Sequence, residues 1–216
     1  MRVAGHEFAC NPGDLNRSGC AQRLRRTSMT RSILVVLVLT IASLVGNAQI
    51  RSSEPPQNVA QAFDLSVTGA EQATLALARS MPEDRYNFKP TRGAFKDVRT
   101  FAELAKHIAV DNYVNGASLL GETPPIERGA RENGPASIRT KAEVIKLLQD
   151  SFAYLHKAMN TVKESNLMEM IPLTEGGEAP RLMVISSAIS HPWDIYGQMI
   201  EYLRMNGIDP QKGSET

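Results

Sequence analysis

Apolar side chains recur at the three- and four-residue spacing of an amphipathic helix in four separate segments of the chain. The positions that form these apolar faces are Val59, Phe63, Val67, Ala70, Thr74 and Leu77 in the first segment; Phe101, Leu104, Ile108, Asn115 and Leu119 in the second; Val144, Leu147, Leu148, Ser151, Phe152, Leu155, Met159 and Val162 in the third; and Ile185, Ala188, Ile195, Met199 and Tyr202 in the fourth. No run of strictly alternating residues indicates a β-sheet. The pattern therefore predicts an all-α fold, a four-helix bundle of the up-and-down type.

Local sequence signals mark the ends of these segments. Thr100 with Glu103, and Thr140 with Glu143, have the spacing of a capping box, in which the two side chains satisfy free backbone N–H groups of the first helical turn. The fourth helix is expected over residues 180–206, because proline is favoured at a helix start and glycine just past its end. Three aromatic side chains between the first two helices are expected to cover one end of the core: Tyr86, Phe88 and Phe95.

An almost purely apolar run over residues 33–45 precedes the helical segments. It is shorter than the roughly 20 residues that a membrane-spanning helix needs. Arg31 precedes this run, and Gly46-Asn47-Ala48 follows it with small residues where a signal peptide is cleaved. These features predict a signal peptide over residues 1–48 and an exported protein, periplasmic or secreted, whose mature chain begins at Gln49. The alternative is an uncleaved membrane anchor.

The first 28 residues are unlike a signal peptide, because they are polar, rich in arginine and without pattern. Met29 opens a normal signal sequence by itself, so we expect it to be the true start. Cys10 and Cys20 lie in this doubtful extension, and the predicted mature chain has no cysteine. That excludes a disulfide framework, thiolate catalysis and Cys-based zinc sites.

After the predicted cleavage point we expect a linker over residues 49–56, a helical domain over 57–210 and a polar tail over 211–216. Residues 1–48 hold six of the 24 Lys and Arg and two of the 23 Asp and Glu, so the remainder holds 18 basic and 21 acidic side chains. A mildly acidic domain lacks the basic surface of nucleic-acid-binding proteins, so nucleic acid is not an expected partner. Cleavage would also leave no stable membrane anchor.

Two histidines on separate predicted helices, His107 and His191, are the candidate metal ligands. Both adjoin apolar faces, so both side chains could point into the same end of the bundle, where bundles build metal sites from facing helices. Neutral imidazole suits Zn, Ni, Cu or Fe. Asp111 lies four residues after His107 and is the candidate third ligand. The alternative is a pair of hydrogen-bonded structural histidines, because two histidines alone make an incomplete site.

Four other residues have positions that do not favour a metal-binding role. His156 lies beside the apolar face of the third helix and is interpreted as a surface residue, and Asp194 is poorly aimed for ligation. Trp193 is expected to pack in the core, with the mouth of a pocket as the alternative. Pro192 is expected to kink the fourth helix, because a proline removes one backbone hydrogen bond and clashes with the preceding turn.

Three stretches of the chain resemble the DinB family, also called the DinB-like four-helix bundle superfamily. Residues 101–109 around His107 resemble its first metal-ligand helix, and residues 81–90 resemble its first loop. Tyr196-Gly197-Gln198 followed by residues 202–208 resembles its last helix, the most specific part. The resemblance spans about residues 57–210.

The resemblance implies a divalent-metal site of three histidines, one on the second helix and two, four residues apart, on the fourth. The first two correspond to His107 and His191, but the third corresponds to Ile195, which cannot bind a metal. The family includes thiol-dependent transferases and a maleylpyruvate isomerase. The resemblance therefore implies a Zn- or Ni-dependent enzyme of transferase or hydrolase type, with a weakened metal site, acting on an unknown small molecule, and the predicted signal peptide makes it an exported one. No catalytic residue is assigned.

The departure at Ile195 keeps a second interpretation open. In that interpretation the protein is a non-catalytic DinB-like bundle, which binds a small molecule or a protein partner in the old pocket. The sequence also leaves open whether the protein is a homodimer.

Overall fold

The structure is a computed structural model, and it describes residues 55–95 and 97–210. Within the described residues, the chain from Pro56 onward forms one compact unit. The predicted signal peptide over 1–48, its possible start at Met29 and the tail over 211–216 lie outside the described residues. The described part contains four long helices, α1 (Val59–Ser80), α2 (Phe101–Leu120), α3 (Lys141–Met159) and α4 (Arg181–Met205). The prediction of an all-α bundle is confirmed.

The helix starts follow the local sequence signals. Both capping boxes form: Thr100 accepts a hydrogen bond from the backbone N–H of Glu103, and Thr140 accepts one from Glu143. In each box the glutamate returns a bond to the backbone N–H of its threonine. The fourth helix continues through Pro192 from Arg181 to Met205. The two boxes therefore set where α2 and α3 begin, which in turn positions the residues of the site along α2.

The order of the helices differs from the predicted up-and-down arrangement. Lys141, at the start of α3, donates to the backbone oxygen of Met81 just after α1. Lys157, near the end of α3, binds Glu122 just after α2. The neighbouring helices α2 and α3 therefore run in the same direction, and the long segment between them crosses the length of the bundle. That length is what allows a parallel pair, since a short loop between helices gives antiparallel neighbours.

Helices α2 and α4 lie side by side and run in opposite directions. Arg181, at the start of α4, donates to the backbone oxygen of Leu119 near the end of α2. Tyr202, near the end of α4, donates to the backbone oxygen of Arg99 just before α2. This antiparallel register places His191 of α4 beside both His107 and Asp111 of α2.

A short hairpin precedes α4, although the sequence indicated no sheet. Strands β1 (Met170–Pro172) and β2 (Glu178–Pro180) pair antiparallel, with Ile171 opposite Ala179. Each strand has only three residues, so there is no room for the alternating pattern that identifies a strand in a sequence. The buried Ile171 anchors this hairpin on the core.

The core is drawn from the predicted apolar stripes. Its largest fully buried side chains are Tyr86, Phe101, Phe152, Leu77, Met81, Leu104, Ile108, Leu148, Leu155, Met159, Ile185 and Met199. Tyr86 packs edge-on against Phe101, with ring centroids 5.4 Å apart, and closes one end of the bundle as expected. Phe95 does not take part, because it is exposed. Across residues 55–95 and 97–210, no helix has the length and apolar character to cross a membrane.

Two side chains have surroundings that differ from their sequence-based interpretations. His156 is half-buried between α3 and α1, where its Nδ1 lies 2.6 Å from Asp64 and its Nε2 lies 3.3 Å from Glu71. It is therefore part of an inter-helix ion pair, not a free surface residue. Trp193 is exposed and packs on Tyr196, so the expectation that it lies in the core is wrong.

Candidate metal centre

Three potential metal ligands meet in the groove between α2 and α4. His107 and Asp111 lie one turn apart on α2, and His191 faces them from α4. One ligand atom from each lies within 4.8 Å of the others. The antiparallel register of the two helices explains this meeting, because it sets position 191 beside position 107.

The three donor atoms are arranged around one point. The Nε2 atoms of His107 and His191 are 3.3 Å apart, and Nε2 of His107 is 3.8 Å from Oδ2 of Asp111. His191 and Asp111 form a direct hydrogen-bonded ion pair. The His107 side chain is 7% exposed, whereas those of Asp111 and His191 are 20% and 28% exposed. The cluster therefore has one buried member and an edge that solvent can reach.

A backbone carbonyl fixes the tautomer of His107. Its Nδ1 lies 3.1 Å from the backbone oxygen of Glu132. A carbonyl oxygen can only accept, so Nδ1 carries the proton, and in the neutral ring the Nε2 lone pair faces Nε2 of His191. A histidine that binds a metal usually has its other ring nitrogen held in this way.

The loop that supplies this carbonyl has an unusual backbone. Arg131 and Glu132 have φ angles of 56° and 60°, in the left-handed region that L-residues seldom occupy. Arg99 holds the turn, donating from Nη2 to the backbone oxygen of Arg131 and from Nε to Oδ1 of Asn133, each at 2.8 Å. Backbone strain of this kind persists only where surrounding contacts enforce it. Here those contacts place a carbonyl against His107.

Charge and burial act differently on the two histidines. Burial lowers the pKa of His107 below its ordinary value, Asp111 opposes this, and the positive charge of Arg99 adds to it. The hydrogen bond with Asp111 raises the pKa of His191, against the effects of burial and of Arg99. The cluster therefore combines a neutral imidazole on α2 with a protonation-prone imidazole paired to a carboxylate.

The structure brings together the two predicted histidine ligands, His107 and His191, and the candidate third ligand, Asp111. Ile195, where the resemblance implies a third histidine, is 3% exposed and belongs to the core. Asp194 is exposed and lies outside the cluster. Sequence reasoning missed Glu132 and Arg99. The contribution of Glu132 is a backbone atom, which no side-chain pattern reveals, and Arg99 acts from outside the predicted helices.

Comparisons with known proteins agree on the family. The family model of the DinB superfamily matches residues 67–199. The crystal structure of a DinB-like protein from Bacillus cereus ATCC 10987 at 2.01 Å resolution has a similar fold, with a TM-score of 0.56 and 15% sequence identity. The similarity covers 71% of this chain and 95% of that one, and at this identity it concerns the fold alone. No curated protein matches the sequence. Since the family match covers more than half of the chain, the protein belongs to the DinB superfamily.

Proposed function

We propose that this protein is a divalent-metal-dependent enzyme of the hydrolase or transferase type, with His107, Asp111 and His191 as the metal ligands. The convergence of these three donors at a partly exposed cluster carries the proposal. Two histidines and a carboxylate are a set that catalytic zinc sites use, with a fourth position left open. Zinc is the favoured ion, and nickel is the alternative.

The spacing of the donors fits such an ion. Zn–N and Zn–O bonds of about 2.1 Å in tetrahedral directions put neighbouring ligand atoms about 3.4 Å apart. The separations of 3.3 Å between the histidine nitrogens and 3.8 Å between His107 and Asp111 bracket this value. Only the His191–Asp111 pair, now in direct contact, would need to separate slightly.

Each residue at the cluster has a definite part in this proposal. His107 is held by Glu132 in the tautomer that ligation requires. Asp111 supplies negative charge, and His191 must lose its proton to bind, so metal uptake releases a proton. Arg99 adds positive charge near both histidines and lowers the pKa of each, which favours the neutral imidazoles that bind metal. A divalent ion held there would polarise a carbonyl oxygen as a Lewis acid.

A non-catalytic bundle that binds a small molecule or a protein partner is the second candidate. The observation that favours it is Ile195, an apolar core residue at the position that the family resemblance assigns to a third histidine. A protein of this kind would keep the groove between α2 and α4 but bind metal weakly.

A zinc titration of the full chain, stripped with a chelator, separates the two candidates. We expect one zinc ion per chain in competition with a chromophoric chelator, and loss of that binding in His107→Ala. His156→Gln is the matched control, because it removes a histidine that lies outside the cluster, and it should retain zinc. Binding that is absent from the native chain, or unchanged in His107→Ala, refutes the proposed site.

Catalysis has its own test. The zinc-loaded chain should convert at least one member of a panel of small amides, small esters and electrophiles that accept a thiol. His107→Ala should abolish the conversion. Tight zinc binding without turnover of any of these classes would favour the non-catalytic candidate.

Export is a further proposal, motivated by the apolar run over 33–45 and the small residues that follow it. N-terminal sequencing of the protein from its native cell envelope should begin at Gln49. A retained 33–45 segment would show that the signal peptide is not cleaved.

A further inference from the structure

A cavity of about 230 Å³ lies in the same groove as the His/Asp cluster, one to two helical turns further along. Its walls come from Val114 and Asn115 of α2, from Leu173 and Ala179 of the hairpin, and from Ser187 of α4. The register of the two helices relates it to the cluster: Ser187 lies one turn before His191, and Asn115 one turn after Asp111. The cavity and the cluster are consecutive stretches of one groove.

The end of the cavity nearest the cluster presents polar groups with unused hydrogen-bonding capacity. Asn115 donates from Nδ2 to the backbone oxygen of Asp111 at 3.0 Å, and its Oδ1 accepts no bond from the described residues. Ser187 lines the same end of the cavity, and it is exposed, so its hydroxyl can bind water or a ligand. The half-buried Asn115 oxygen is therefore the acceptor that a ligand could use at this end, with the Ser187 hydroxyl beside it.

The far end has no free charge. Glu175 contributes a carboxylate to the lining, but Arg128 binds it at 2.6 Å. The second Nη of Arg128 donates to Thr174 at 3.1 Å, so this polar corner is already satisfied. The other walls are mainly apolar, and the exposed Met183 stands at the rim. A charged ligand body would lose its hydration here without a counter-charge, whereas an apolar body would gain by burial.

We propose that this cavity binds a small neutral molecule with a short apolar chain, whose polar end carries a hydrogen-bond donor for Asn115 and points toward Asp111. Primary amides of short fatty acids have this chemistry. The volume corresponds to roughly eight waters at about 30 Å³ each, which suits a ligand with a similar number of non-hydrogen atoms. The inference rests on the proposed function only for the ligand's polar end, which the groove directs toward the proposed metal ligands.

Hexanamide is a suitable probe, and hexanoate is its anionic counterpart of equal length. Both are titrated into the metal-free full chain and followed by two-dimensional NMR. Hexanamide should bind saturably, with a Kd on the order of 1 mM for a ligand of this size, and shift signals of α2, the hairpin and α4. Hexanoate should bind at least about tenfold more weakly, since its carboxylate would approach that of Asp111.

A pair of adjacent serines provides matched variants. Ser187→Leu fills the end of the cavity near the cluster and should weaken hexanamide binding at least about tenfold. Ser186→Leu introduces the same side chain one residue away, outside the lining, and should leave binding unchanged. Both residues are exposed on α4, and circular dichroism verifies that both variants keep the native helix content.

The proposal is overturned if hexanamide shows no saturable binding up to about ten times that concentration, or if hexanoate binds equally well. It is also overturned if both serine variants weaken binding to the same extent. All of these titrations use metal-free protein. A failure of zinc binding would therefore rule out the proposed metal site without affecting the test of hexanamide binding. With zinc added, a change in the hexanamide Kd would show that the two sites are coupled, as adjacent stretches of one groove should be.

Discussion

The substitution Asp111→Asn tests the assignment of the third ligand most directly. It keeps the shape of the side chain but replaces a carboxylate by a neutral amide. In the native structure Oδ2 of Asp111 contacts both His191 and, at 3.8 Å, His107. If all three residues bind one ion, the variant keeps two histidines and loses the only negative charge of the donor set.

The expected loss of affinity is large. Mutating residues that merely support metal ligands costs about 10- to 100-fold in affinity. Removing a ligand should therefore cost at least about 100-fold, or about 2.7 kcal/mol of binding free energy. The assay is competition for zinc against a chromophoric chelator near neutral pH, with urea unfolding to verify that the metal-free variant is folded.

Asp150→Asn is the matched control. Asp150 is a half-exposed aspartate on α3 that pairs with Lys146 at 2.7 Å, away from the cluster. It should leave the zinc Kd unchanged within about threefold, because surface ion pairs contribute little. If Asp111→Asn also stays within this range, Asp111 is not a ligand, and its contact with His191 is a structural ion pair.

A double variant tests whether Asp111 and His191 bind the same ion. Residues that act as a unit show strongly non-additive effects. Asp111→Asn combined with His191→Ala should therefore lose little more zinc affinity than the worse of the two single variants. Full additivity would mean that the two side chains affect zinc independently, which contradicts a shared ion.

Three further predictions concern the rest of the fold and site. Leu148→Ala should lower the free energy of unfolding by about 2–5 kcal/mol in urea titrations, because the side chain is fully buried, whereas the exposed Leu65→Ala should change it by less than about 0.5 kcal/mol. His156→Gln should destabilise the protein most near pH 6, since the two carboxylates of α1 outweigh burial and raise the pKa of His156, and the stabilisation they give is lost as pH rises through that raised value. A cost in urea unfolding that grows with pH would contradict this. Ile195→His should increase zinc affinity at least about tenfold, because positions 191 and 195 lie one turn apart on the same face; an unchanged Kd would show that position 195 is turned away from the site.

The parts of the fold that local chemistry determines could be predicted from the sequence. The starts of α2 and α3 follow from reciprocal bonds within one turn, and the buried stripes follow from helical period. The parallel direction of α2 and α3 could not be predicted in this way. It depends on how the segment between Leu120 and Lys141 crosses the bundle, and the helix pattern is the same for either direction.

The candidate site also has parts that the sequence predicts and parts that only the structure reveals. The helix faces and a family resemblance both point to His107 and His191. In the structure their Nε2 atoms are 3.3 Å apart. The sequence alone does not establish Asp111 as a ligand, because an aspartate on a helix face is more often solvated than ligating. The support from Glu132 depends on a left-handed turn at two residues that have no glycine signal, so only the structure reveals it.

The helix that supplies the third ligand determines which way the cluster extends along the groove. Because α2 and α4 are antiparallel, Asp111 and His191 each lie one turn from a residue of the cavity wall, Asn115 and Ser187, whereas position 195 lies one turn beyond His191, away from the cavity. A histidine at 195 would extend the cluster away from the cavity. With isoleucine there and aspartate at 111, the cluster extends toward the cavity, and Asp111 lies one turn from the cavity wall at Asn115. If Asp111 binds the metal, the departure from the family's histidine pattern at Ile195 moves the third donor from the far side of the cluster to the side that faces the cavity.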